Sequence, residues 1–378
     1  MKLTSKRTGA QICFYLLLAI GICATGAIVF AASPGISLEK AKKEAETKGY
    51  LFVTSRDEIV SKAKQEGKLR VHVSLTAETL KALADGFMKK YPFIETNADE
   101  LRGNEAYVRI LHELKAGLLK DLDVTNLIFD YYNEYMPHQK KFDILGMAEQ
   151  TVVQIPHPII DPTNRNVVAV GSSIQVVAYN KKLISAEKVP DAWDGFLKPE
   201  FSGKKFAIDL RPKDVVGLVP VWGLEKTLDY ARKVAAQKPV WTRGGTRMVT
   251  SVLAGEQAVF LGPNYHSVLR AKSKDPADVL GIKTPEPVPV LLAEVQGIIS
   301  AAPHPYAALL WLEFITSPEG QKILDQYGPY AGSALLPGTA QEQAIKGKKI
   351  SVADWQHFSK MQEYEKKVIE AFGFPKAE

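Results

Sequence analysis

Leu69, Val71 and Val73 alternate with Arg70 and His72, the two-residue period of a half-buried strand. Leu80, Leu83, Ala84 and Phe87 then recur at helical spacing, so the pattern predicts a strand, a tight loop and a helix. Ser74 or Thr76 would cap that helix, whose exposed amides make its start a natural anion site. Upstream, residues 37–68 are charged with weak apolar spacing at Ile59, Val60 and Ala63, and Gly67 is a stop signal; a leading helical segment is expected. Residues 107–119 repeat the helical pattern, and Asp123-Val124 opens a short strand. Two β-rich runs, 167–170 and 174–179, are interrupted by Gly171-Ser172-Ser173, as in a strand bent between two lobes. Residues 193–205 carry loop punctuation, residues 206–208 a short strand, and Ser317-Pro318-Glu319 a helix start with Ser as cap and Pro in the first position. Strands and helices alternate throughout, so the fold class is α/β.

The first residues follow none of this patterning. Lys2, Lys6 and Arg7 precede an uncharged apolar run over 12–32, followed by Ser33, Pro34 and Gly35. This reads as a signal peptide, residues 1–32, and hence as a periplasmic protein; a membrane anchor formed by the same segment is the alternative. Cleavage would remove three positive and no negative charges, taking the formal charge from +6 to 6 − 3 = +3. The two cysteines, Cys13 and Cys23, lie inside the segment, so a cleaved chain would have no disulfide and no thiol nucleophile. Ile22 before Cys23 argues against lipidation. There is no long basic block, which excludes a nucleic-acid tail.

The chain lacks GxGxxG, GxxxxGK[ST], HExxH and GxSxG, and His112-Glu113 lacks the second His of a zinc helix, so an enzyme is not expected. The aromatic run at Asp130-Tyr131-Tyr132-Asn133-Glu134-Tyr135 reads as a wet helix face rather than a ferric tyrosinate site. Trp241-Thr242-Arg243-Gly244-Gly245-Thr246-Arg247 is more suggestive. Arg243 would grip a carboxylate or phosphate with two parallel hydrogen bonds, while the glycines and Thr246 allow close approach at a helix start. The plain alternative is a pair of surface arginines. Asp209 and Arg211 follow a short strand and would meet either the ligand or each other.

Several pieces in order resemble one family: residues 69–74, a helix ending at Lys90-Tyr91-Pro92, Leu122-Asp123-Val124, Tyr179-Asn180, Pro190-Asp191-Ala192-Trp193, residues 199–204, Ala254-Gly255-Glu256, and residues 303–308 leading to Ser317-Pro318-Glu319-Gly320-Gln321. They are similar to the ferric-iron-type solute-binding proteins of ABC importers. The resemblance implies a type II periplasmic-binding-protein fold, two α/β lobes joined by two crossing hinge strands and closing on a ligand between them. Hinge closure of periplasmic binding proteins is a standard example of such switching. The lobes expected are 69–170 with about 296–347, and 171–295 with about 348–378. A monomer that hands its solute to an inner-membrane permease is implied; a ligand-sensing partner of a membrane receptor kinase would use the same closure.

The resemblance also bears on the ligand. Iron-binding members hold Fe(III) with a His in the first loop, a Glu in the first lobe and two adjacent tyrosines after the Gly-Glu strand. Here those positions fall on Thr76, near Ala116 with Glu113 one turn away, and on Tyr265-His266. One phenolate would thus be retained, with Tyr265 as a metal ligand only if iron is the cargo. An imidazole in place of the second phenolate undercharges a ferric site. The expectation is a small carboxylate, phosphate ester or phosphonate bound by Ser74, Thr76, Ser172, Ser173, Asp209, Arg211, Arg243, Thr246, Tyr265 and His266, with no cofactor. Ferric iron is the alternative ligand, and two packing residues on a cleft wall are the plain reading of Tyr265 and His266.

Overall fold

The computed structural model describes residues 37–327 and 331–374. The chain divides into Met1–Ser37 and Leu38–Glu378, and the account below concerns the second unit. The expected signal peptide lies outside the described residues.

The leading segment is two helices, Leu38–Thr47 and Arg56–Glu66; Ser55 caps the second, and Gly67 ends it in the left-handed conformation, φ 67°. Ten strands follow among the described residues: β1 (Lys68–Val73), β2 (Glu95–Glu100), β3 (Val124–Leu127), β4 (Val167–Asn180), β5 (Ala207–Asp209), β6 (Val240–Thr242), β7 (Val259–Asn264), β8 (Leu280–Lys283), β9 (Val288–Ile298) and β10 (Ile350–Ala353). Their order is β2-β1-β3-β9-β4-β7-β5-β6, with β10 on β9 and β8 on β4. Pairing is parallel at one end, β2-β1-β3, and at the other, β7-β5-β6. Antiparallel β9 and β4 join the two ends.

Helices cover both ends for the reason the periodicity gives. The helix Ala77–Lys90 buries Leu80, Leu83, Ala84 and Phe87, and Thr76 Oγ1 accepts the Thr79 amide at 3.3 Å as its cap. The helix Pro305–Thr316 is apolar nearly all round and buries every residue from Ala307 onward, Trp311 included. Gly320 N donates to Ser317 Oγ at 3.2 Å, the cap expected for the helix Pro318–Tyr327.

The apolar core falls into separate clusters, and the joining strands contribute to several. Val167–Val170 of β4 and Leu292, Val295 and Ile298 of β9 lie in the cluster with β1 and β3. Val177 and Tyr179 of β4 with Leu291 of β9 pack with β5 and β7. Trp355 and Phe358 belong to the first cluster, and Met361, Val368 and Phe372 to the second. The chain's C-terminal helices therefore touch both.

Two local expectations change. Residues 167–180 form one unbroken strand, because Gly171, Ser172 and Ser173 pair with Ala293, Leu292 and Leu291 of β9 and so stay in the ladder. The tyrosine run is not wet. Tyr132 is 4% and Tyr135 0% exposed; Tyr132 OH donates to Asp161, and Tyr135 OH donates to Tyr107 O at 2.6 Å. Trp355 and Phe358 cover Tyr132 with tilted and edge-on rings.

Candidate solute-binding cleft

The strand ends of both halves converge on β9 around Ala293 and Glu294. Glu294 has a left-handed backbone, φ 50°, an uncommon and strained conformation for a residue with a side chain. Ser74, just beyond β1, donates its hydroxyl to the Glu294 carboxylate at 2.8 Å, and Asn126 of β3 donates Nδ2 at 2.9 Å. Burial raises the Glu294 pKa, and these hydrogen bonds oppose the rise. Tyr107 stands beside the pair, its phenol pushed up to about 12 chiefly by burial and then by the Glu294 charge.

The facing wall comes from β7 and the helices after it. Ser173 Oγ donates to Asn264 Oδ1 at 2.7 Å, and Gln175 Nε2 reaches the same oxygen at 2.9 Å. Asn264 precedes the helix Tyr265–Lys272, on which His266 and Arg270 lie one turn apart. The His266 imidazole is pushed down to about 4, first by burial and then by the Arg270 and Lys213 charges, so it is neutral at neutral pH. Lys213, which opens the helix Lys213–Val216, holds its ammonium 5.2 Å from the Phe129 ring centre.

Adjoining cavities share these residues. One of about 270 Å³ is lined by Ser173, Lys213, Asn264, His266 and Glu294 together with apolar side chains. A second, about 240 Å³, is lined by Ser74, Tyr107, Asn126, Asp130, Lys213 and Glu294. A third, about 120 Å³, has Ser74, Thr76, Ser173, His266, Arg270 and Glu294 on its walls. The fourth, about 160 Å³, is walled by Gln175, Asp209, Arg211, Lys213 and Thr246. The walls carry the carboxylates of Glu294, Asp130 and Asp209, the cations of Lys213, Arg211 and Arg270, and neutral hydrogen-bonding groups among them.

The expected residues distribute unevenly over this cleft. Ser74, Thr76, Ser172, Ser173 and His266 line it, and Asp209, Arg211 and Thr246 line its annex. The Ser172 hydroxyl is taken up within the fold, donating to Gln341 Oε1 at 2.9 Å and accepting Ala334 N at 2.7 Å. Arg211 and Asp209 meet each other at 3.3 Å, and Asp209 also accepts the Gly244 amide at 3.2 Å. Arg243 is exposed and lines none of these cavities. Tyr265 is likewise absent from their walls and packs against the cluster of Ile174, Val288, Val290, Ala334 and Ile345. Glu294, Lys213, Asn126 and Arg270 were not anticipated. A lone Glu inside the apolar run of residues 288–298 was the one available signal for the first.

Two α/β halves joined by paired antiparallel strands, with a polar cleft at the crossing, define a solute-binding protein of the type II periplasmic fold. Solved structures of that fold are similar over most of the chain. With the iron- and citrate-bound IdiA/FutA of Trichodesmium the TM-score is 0.65 at 19% identity, covering 82% of this chain and 100% of the other. With iron-bound HitA from Pseudomonas aeruginosa it is 0.59 at 18% identity, covering 80% and 99%. With the apo ferric ion-binding protein A of Pasteurella haemolytica it is 0.62 at 16% identity, covering 82% and 100%. Residues 123–361 match the family model for bacterial extracellular solute-binding proteins, and the chain belongs to that family. No curated protein sequence matches the chain. The family's members are transport proteins that deliver a ligand to an ABC permease, which implies a periplasmic address. Among the described residues no helix is long and apolar enough to cross a membrane, and no group of three or more His, Cys, Asp or Glu side chains is placed to hold a metal ion.

Proposed function

We propose that the protein captures ferric iron as an anionic chelate and presents it to an ABC permease. Similar solved structures hold iron, one of them with citrate as well, which favours iron over a metal-free anion. The observation that carries the chelate form is the pairing of Lys213 and Arg270 around a neutral His266 in the cleft. Bare Fe(III) calls for several anionic oxygen donors. A chelate brings its own, and its net negative charge is what two cations and a neutral imidazole suit. Closure follows because only the closed form lets groups from both halves touch the ligand at once. Tyr265, packed against apolar side chains, supports a second reading, a carboxylate or phosphate ester bound without metal.

Calorimetric titration with ferric citrate, citrate and inorganic phosphate tests both. Binding of ferric citrate well above citrate supports the chelate. Equal binding of citrate with and without iron supports the metal-free anion. No heat and no thermal stabilisation by any of the three would overturn both, since a ligand bound only by the folded state must raise its stability.

A further inference from the structure

Glu294 combines a left-handed backbone with a buried carboxylate in the cleft. It lies inside β9 between Ala293, which pairs with Gly171 of β4, and Val295, which pairs with Leu127 of β3 and Ala169 of β4. A Cβ at Gly171 would meet Ala331 O at 2.8 Å and Glu294 Cγ at 3.3 Å, so this glycine leaves the room in which the Glu294 side chain turns. A left-handed non-glycine conformation is retained only where the surroundings over-determine it. Here they aim a carboxylate into three adjoining cavities.

The carboxylate is held entirely by neutral donors. Ser74 has one hydroxyl proton for two oxygens each 2.8 Å away, and Asn126 supplies one amide proton. Among the described residues no Lys, Arg or His forms an ion pair with it. A desolvated carboxylate with so little compensation is unfavourable unless a positive group joins it. Lys213 and Arg270 stand near His266, and each shares a cavity with Glu294, Lys213 in the company of Asp130.

We propose that Glu294 is the group that reads a positive centre in the solute, so that the solute joins a positive centre to an acidic group: a ferric chelate with its metal toward Glu294, or a short zwitterion with its ammonium there. Lys213 and Arg270 hold the acidic part. The inference rests on this cleft being the solute site, and it predicts that a purely anionic molecule is repelled by Glu294.

The test compares the full chain with Glu294→Gln, which keeps the shape and removes the charge, and with Glu294→Asp, which keeps the charge on a shorter arm. Titrations use ferric citrate, β-alanine and metal-free citrate, and thermal melts establish that each variant is folded. The expected result is at least a tenfold loss of ferric citrate or β-alanine binding in Glu294→Gln, with part of the affinity kept in Glu294→Asp and citrate binding unchanged or tighter in Glu294→Gln. Loss of ferric citrate alone identifies the metal as the positive centre; loss of β-alanine alone identifies the ammonium. Equal binding of the positive solutes by Glu294→Gln and the wild-type chain overturns this role while leaving the cleft in place. A wild-type chain that binds none of the three overturns the cleft reading and this inference together.

Discussion

Glu365 gives the sharpest check on the electrostatics around the cleft. It lies on the helix Met361–Ala371, which packs against the helix Lys213–Val216 and the turn Phe129–Tyr131. Its Oε1 is buried without a hydrogen-bond partner. Burial pushes its pKa from 4.5 up to about 7; Lys213 and Arg211 oppose the rise, while Asp130 and Asp209 add to it. Between pH 4.5 and 7 the native state therefore holds a proton that the unfolded chain has lost, so this group's contribution to stability falls as pH rises through that window. A shift of about 2.5 units at about 1.4 kcal/mol each amounts to roughly 3 kcal/mol at pH 8. Glu365→Gln removes the titration. The variant should match the wild-type chain near pH 4.5 and exceed it by up to about 3 kcal/mol at pH 8, or about 4 °C in melting temperature for a body of this size. Asp214, also pushed up to about 7, and His266, pushed down to about 4, titrate in both proteins and cancel in the difference. Urea denaturation at five pH values from 4.5 to 8 measures it. A difference that does not change with pH would refute the buried, proton-holding carboxylate.

Lys213→Ala should weaken ferric citrate by about 1.5–3 kcal/mol, the worth of a charge-assisted contact to a partly buried anion, whereas Arg243→Ala, at an exposed position outside the cavities, should change it by less than about 0.5 kcal/mol. Calorimetry on both variants distinguishes them, and the reverse ranking would move the anion site to the helix Gly245–Ala254. Gly262→Ala should cost more than about 2 kcal/mol in denaturation, because Gly262 sits at φ 79° and a Cβ there would overlap the buried Asp214 side chain. An unchanged midpoint would show that β7 and Asp214 can move apart freely.

What could be read from the sequence was what neighbours along the chain decide. The β1 alternation, the Thr76 cap, the Gly67 stop and the Ser317 cap each involve residues within four positions of one another, and each is found in the structure. The errors come from partners far away. Gly171-Ser172-Ser173 looks like a break until β9 supplies the ladder some 120 residues later in the chain. Tyr132 looks solvated until Trp355 and Phe358 cover it. Arg243 carries the right group at a helix start, but the direction in which that start faces depends on how β6 joins β5, which no local pattern states.

The same reasoning explains why the residues that line the candidate cleft were not legible locally. Its carboxylate lies on β9, and the groups that fix it, Ser74 and Asn126, are 220 and 168 positions away. Its cations follow β5 and β7, which meet β9 only through β4. Glu294 therefore sits on a joining strand, while Lys213 and Arg270 come from the end of the sheet that holds β5 and β7. If the closed form is the one in which the solute meets both groups, as proposed above, a substitution that removes either charge should lower ferric citrate affinity and closure together.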